Sequence, residues 1–162
     1  MERNLNSCPY PQNIYLAMQT RYKLLPEIAG RLRGETLMDR SVHPPRVYRV
    51  HYVFDDWLGD DLLESFPCYI VSERLYYLLS ESGLSGFEFD QCQVSASHLF
   101  QKAARQWNAP VMLPRFYWLR VHGIPGKDDF WISEDNYLMV SQKALEILRR
   151  FQIAQCQVIP VA

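Results

Sequence analysis

Apolar and polar positions along this chain alternate with two different periods, and one arrangement of them occurs twice. Tyr69 to Val94 reads YIVSERLYYLLSESGLSGFEFDQCQV, and Leu138 to Val158 reads LMVSQKALEILRRFQIAQCQV. Each copy has an apolar run, then Val-Ser, then leucines at helical spacing, then a short run ending Gln-Cys-Gln-Val. The second copy is shorter by about four residues in the bend before that ending. After Ser72, Leu75, Leu78, Leu79 and Ser82 fall on one stripe, and after Ser141, Ala144, Leu145, Leu148 and Phe151 do the same. Ser72 and Ser141 stand where an N-cap belongs, because a serine oxygen can accept a free amide of the first turn. Lys143, Glu146, Arg149 and Arg150 form the outer face of the second helix, and Gly83 can stop the first in a left-handed conformation. Beta-favouring residues precede each serine, at 68–71 and 137–140, and alternation resumes at 87–90 and 156–159. Strand, helix, strand is therefore expected twice. Two copies are too few for a solenoid, so they form a pseudo-symmetric pair within one domain.

Elsewhere the period is mostly that of strands. Residues 46–54 (RVYRVHYVF) put Tyr48, Val50, Tyr52 and Phe54 on one face and Val47, Arg49, His51 and Val53 on the other. Residues 115–122 separate Phe116 and Trp118 from Tyr117, Leu119 and Val121. A strand is expected over 13–20, after a loose surface segment at 1–12. Pro26 is placed to open a short helix through Leu32, 34–45 reads as a loop, and 60–65 reads as one helical turn. Residues 97–107 read as a helix with Phe100, Ala103, Ala104 and Trp107 on one stripe, ended by Pro110. Gly123-Ile124-Pro125-Gly126 is a turn, and 130–133 and 136–140 are short strands joined near Glu134-Asp135. The pattern predicts an α+β single domain over residues 1–162: a mainly antiparallel or mixed sheet with the two repeat-related helices packed on it.

Composition narrows the function classes. The chain has 162 residues, 48% hydrophobic and 22% charged, which suits one globular domain. The net charge of −1 lacks the positive field that nonspecific nucleic-acid binding needs. Aromatic residues reach 14%, enough to serve both a core and an interface. Cys8, Cys68, Cys92 and Cys156 form no Cys-x-x-Cys pair, so a zinc knuckle or a thioredoxin-like site is not expected. With neither a signal-like segment nor a run of transmembrane length, the expectation is a cytoplasmic chain with reduced, buried thiols.

Three constellations could carry chemistry. His122, Asp128 and Asp129 flank a glycine turn, where imidazole and carboxylate could ligate a metal or share proton transfer. Asp55, Asp56, Asp60 and Asp61 surround Trp57 in DDWLGDD, an acidic stretch suited to a basic partner with Trp57 as anchor. Arg115, Phe116, Tyr117, Trp118 and Arg120 mix basic and aromatic residues as single-strand nucleic-acid platforms do. His98 and His43 have no second partner in sequence. There is no nucleophile elbow, Walker A loop or dinucleotide fingerprint.

The stretches LPRFYWLRVHGIPGKDDFWI (113–132), LMVSQKALEILRRF (138–151), Gln155-Cys156-Gln157-Val158 and YIVSERLYYLLSESGLSGFEF carry a likeness. Over residues 60–161 the chain resembles a bacterial group of small immunity proteins of polymorphic toxin systems. Some relatives carry paired Cys-x-x-Cys-Gly motifs; this chain has none, so the metal site those motifs suggest is not carried over. The resemblance implies a cytoplasmic protein that binds and blocks a cognate toxin encoded beside it, without catalysis, cofactor or metal. Loops on a rigid scaffold often carry recognition. The candidate partner-binding residues are therefore Asp55, Asp56, Trp57, Asp60 and Asp61 in one loop and Lys127, Asp128 and Asp129 in the other. Two alternatives stay open: a small enzyme using His122, Asp128 and Asp129, and a ligand or nucleic-acid module near Trp118.

Overall fold

Ser72 and Ser141 each take the N-cap position of a helix in extended backbone, but only the Ser141 hydroxyl accepts a first-turn amide, that of Ala144 at 3.1 Å; the Ser72 side chain makes no cap hydrogen bond and bonds Asp61 instead. This is seen in a computed structural model that describes residues 20–161. The expected surface segment 1–12 and residues 13–19 of the expected strand lie outside the described residues. In chain order the elements are β1 (Arg21–Leu25), β2 (Gly30–Leu32), β3 (Leu37–Asp39), β4 (Arg46–Phe54), β5 (Leu62–Ser65), β6 (Cys68–Ser72), α1 (Glu73–Glu81) and β7 (Phe87–Ala96). Then follow α2 (His98–Gln106), β8 (Phe116–Val121), β9 (Phe130–Ile132), β10 (Leu138–Ser141), α3 (Gln142–Leu148) and β11 (Gln157–Val161). The strands form one sheet ordered β11-β1-β10-β9 and a larger one ordered β2-β4-β7-β8-β6-β5, with β3 paired to β4. Only the β4–β7 pairing is parallel among these ladders. The protein is thus α+β with a mixed sheet.

The repeat is longer than the two sequence copies, and its strands are interleaved. One unit runs β5, β6, α1, β7 and the other β9, β10, α3, β11. Into the first is inserted β8, paired with β6 and β7; into the second is inserted β1, paired with β10 and β11. The registers agree: Leu119 stands opposite Tyr69 and Phe89, and Leu24 opposite Leu138 and Val158. Each unit's leading strand, β1 or β8, is therefore held by the other unit. The same registers correct the alignment of the copies. Phe89, not Val94, is the counterpart of Val158, so the shared Gln-Cys-Gln-Val ending is out of register and no shortening separates the strands. The helices differ in length, and the bends after them compensate.

Two buried clusters follow from strand alternation. Tyr117 and Leu119 of β8 join Leu75, Leu79, Leu24, Phe130, Leu138, Val140, Ala144, Leu145 and Leu148 in the core shared by both units. Phe116 and Trp118, on the opposite face of β8, join Val50, Tyr52, Phe54, Leu63 and Ile70 in the second. That second core lies inside a curl of the larger sheet. The sheet's ends meet where Glu27, just before β2, bridges Leu63 of β5, and the Glu64 amide donates to the Glu27 carbonyl at 2.9 Å.

Four expectations change. The helix from Pro26 to Leu32 is replaced by a bridge at Glu27 and by β2; Pro26, just after β1, has no N–H to continue the ladder, and Ala29 is buried against Tyr52. The turn of helix at 60–65 is β5. Leu62 and Leu63 enter different cores, so a strand covered on both faces shows no alternation to read. The loop 34–45 contains β3. The helix at 97–107 forms and is capped by Ser97, but only Phe100 and Ala104 of its expected stripe turn inward, and Trp107 is 84% exposed.

Candidate functional site

Each unit opens with an Asp-Asp pair, Asp60-Asp61 before β5 and Asp128-Asp129 before β9. The second aspartate does the same work in both. Ser72 Oγ donates to Asp61 Oδ1 at 2.5 Å, and Ser141 Oγ donates to Asp129 Oδ1 at 2.7 Å. The other carboxylate oxygen reaches the bend after the opposite unit's helix: Asp61 Oδ2 accepts the Gln152 amide at 2.8 Å, and Asp129 Oδ2 the Ser85 amide at 3.0 Å. The backbone amides of Asp61 and Asp129 return the bond to the Gln152 and Ser85 carbonyls. Asp61 is also gripped by Arg74 through Nε at 2.7 Å and Nη2 at 2.6 Å. Burial pushes the Asp61 carboxyl up, but Arg74, Ser72 and the Gln152 amide outweigh it and hold it below its ordinary value.

Asp60 and Asp61, expected on a recognition loop, are instead buried, and they offer no carboxylate to a partner in this conformation. Asp60 Oδ2 accepts the Gln155 amide at 2.8 Å while Oδ1 is buried without a partner. Burial raises its carboxyl above the ordinary range, and nearby Asp61 adds to this. Glu27 is alike: Oε1 accepts the Leu58 amide at 2.8 Å, Oε2 is buried unpartnered, and burial raises its carboxyl. Trp57, expected as an exposed anchor, is half-buried. Its Nε1 donates to the Asp60 carbonyl at 2.9 Å, and its ring meets Phe54 and Phe116 edge-on.

What this loop leaves at the surface is Asp56, Leu58 and part of Asp55. Leu58 is 58% exposed, and Ile28 on the adjoining loop is 71% exposed. The two loops are locked together: the Asp55 and Asp56 amides donate to the Ala29 carbonyl at 2.9 and 3.1 Å, and Glu27 holds Leu58. Two apolar side chains with acidic neighbours are thus presented on fixed backbone.

At the other turn, Lys127 is exposed and Asp128 Oδ2 accepts the Ile124 amide at 2.7 Å. That bond, with help from Ser85, holds the Asp128 carboxyl below its ordinary value. Gly126, Lys127, Asp128 and Asp129 line a polar cleft of about 350 Å³ with Arg21 and Trp131. Arg21 lies 5.8 Å from the Trp131 ring. His122 is exposed, and its amide donates to the Gly86 carbonyl at 2.9 Å. Asp128 and Asp129 hold backbone and hydroxyl groups, and no hydrogen bond joins His122 to either carboxylate among the described residues. No group of three or more potential metal ligands occurs among the described residues. The aromatic strand is interior: Phe116, Tyr117 and Trp118 are buried in β8, with Arg115 and Arg120 lying over Tyr117 and Trp118 at 4.9 Å each. Its rings are not the open stacking platform its composition suggested.

Two surface residues were not legible as site residues. Ile28 falls in the stretch read as a helix, and Leu58 stands in DDWLGDD between charges that draw the eye. The available signal was a single apolar residue set among turn and acidic residues on both sides of β4. No helix among the described residues is long and apolar enough to cross a membrane. No family model, curated protein or solved structure matches the chain.

Proposed function

We propose that this chain is an immunity protein: it binds a cognate toxin effector encoded beside it and neutralises it stoichiometrically in the cytoplasm of the producing cell. The resemblance over residues 60–161 motivates this reading. The observation that carries it is the exposed pair Ile28 and Leu58, set beside Asp55 and Asp56 on two loops that hold one another. An apolar centre with a charged border on rigid backbone suits protein recognition, because little entropy is lost in ordering it. The acidic border favours a basic face on the toxin.

The test is co-expression with the product of the adjacent reading frame. A toxic neighbour that is tolerated and co-purified with this chain is the expected result. Leu58→Asp should then weaken the complex by about tenfold or more, with the melting curve unchanged. A nontoxic neighbour that forms no complex would overturn the proposal.

A further inference from the structure

Helix α2 begins where the acidic loop begins. The Ser97 amide donates to the Phe54 carbonyl at 2.8 Å, and Asp55 is the next residue. From that anchor the helix packs Phe100 on the second core, half-buries Ala104 and leaves Leu99, Ala103 and Trp107 in water. Those three lie one turn apart on a single stripe. Leu99 is 67% and Trp107 84% exposed, and Met112, on the segment that follows, is 80% exposed. The charged side chains of the helix have one sign. Between Asp90 and Asp128 the chain has no acidic residue, and Lys102 and Arg105 are the charged residues of the helix. Between α2 and residues 109–113 runs a groove of about 460 Å³, lined by Ala96, Ala104, Arg105, Ala109, Pro110 and Leu113. Its mostly apolar walls leave room for apolar side chains, with Arg105 at hand for a carboxylate.

We infer that α2 and this groove form the second half of the recognition surface and take an acidic, apolar segment of the toxin. The inference rests on the immunity reading above. The surface then runs from acidic, at Asp55 and Asp56, to basic, at Lys102 and Arg105, and the partner carries the reverse order. Such ordering fixes orientation as well as affinity, since a rotated partner would set like charges together. Trp107 supplies a large rigid contact with few torsions to freeze, as interface tryptophans do. A protein is favoured over a lipid surface because one nine-residue helix offers few large apolar groups.

The experiment measures affinity for the product of the adjacent reading frame with four variants: Trp107→Ala, Arg105→Glu, Arg105→Lys and Leu58→Asp. Trp107→Ala and Arg105→Glu should each weaken the complex by about tenfold or more, and Arg105→Lys by much less. Melting curves of all four should match the parent, because none of these side chains is buried. If the complex forms and only Leu58→Asp weakens it, the α2 surface is wrong and the immunity reading stands. If the parent forms no complex, both fall. Loss of binding to a single-stranded oligonucleotide or to anionic vesicles in Trp107→Ala, with the protein complex intact, would also overturn the inference.

Discussion

Asp61 and Asp129 hold equivalent places in the two units, each bonded to its own helix-capping serine and to the bend after the other unit's helix. The Ser72 and Ser141 amides donate to the Asp61 and Asp129 carbonyls at 2.9 Å each, so the correspondence extends to the backbone. Each aspartate joins three segments of chain: its own strand start, its own helix start, and one residue in the bend of the other unit, Gln152 or Ser85. The two differ in surroundings. Asp61 is buried and paired with Arg74, whereas Asp129 is half-buried and has no cation beside it among the described ion pairs.

That difference sets the expected cost of removing each. Asp61→Ala should destabilise by about 3 kcal/mol, since it leaves a buried hydroxyl and an amide without their acceptor. The figure sits at the low end for a buried pair because Arg74 is largely exposed and can turn to water. Asp129→Ala should cost about 1 to 2 kcal/mol. Urea unfolding of the two variants measures both, and equal losses would contradict the role given to burial.

Adjacent aspartates should move stability in opposite directions with pH. The folded Asp61 carboxyl lies below its ordinary value of 3.8, so its contribution is present above that pH and is lost as pH falls through the folded value. The folded Asp60 carboxyl lies above 3.8, so its contribution is present below that pH and is lost as pH rises through the folded value. Asp60→Asn keeps an acceptor for Gln155 and removes the buried charge. Its stability should therefore gain on the parent as pH rises toward neutrality, while Asp61→Asn should stay below the parent by a near-constant amount there and approach it only as pH falls below 3.8. Chemical denaturation at several pH values from about 2 to 8 reads both slopes, that of Asp61 below about 4 and that of Asp60 above it.

Gly123 should not tolerate alanine. A Cβ there would lie 1.8 Å from the Phe130 carbonyl oxygen and 2.8 Å from the Gly86 Cα. The requirement is one of space where β8, the bend before β7 and the start of β9 cross, and the turn itself lies further on. Gly123→Ala should cost about 2 kcal/mol or more by forcing these backbones apart. An unchanged melting temperature would contradict this crossing.

Leu79 and Leu148 stand seven residues after Ser72 and Ser141, and both are buried in the shared core. Leu148→Ala should cost about 2 to 5 kcal/mol, and Leu79→Ala a similar amount. If the units are equivalent in packing as well as in register, the two losses fall within about 1 kcal/mol of one another. Calorimetry or urea unfolding decides this, and a much smaller loss at Leu79 would make α1 a peripheral element.

The sequence by itself determined the local parts. The leucines at helical spacing behind Ser72 and Ser141 placed both repeat helices, because period acts over a few residues, although the expected side-chain cap forms at Ser141 and not at Ser72. Alternation in 46–54 and 115–122 placed β4 and β8; it sorted the faces of β8 into the two cores and put Val50, Tyr52 and Phe54 of β4 in the second, but at the start of β4 it is Val47 that packs inward and Tyr48 that is exposed. Tertiary structure alone decided three further things. It exchanged β1 and β8 between the units, since backbone ladders carry no address for a partner distant in sequence. It buried Asp60 and Asp61 while leaving Asp56 outside, because a carboxylate's place depends on which amides and cations converge on it. And it turned Trp107 outward: periodicity defines an apolar stripe on α2, but which side meets the core depends on where Ser97 is tied to Phe54.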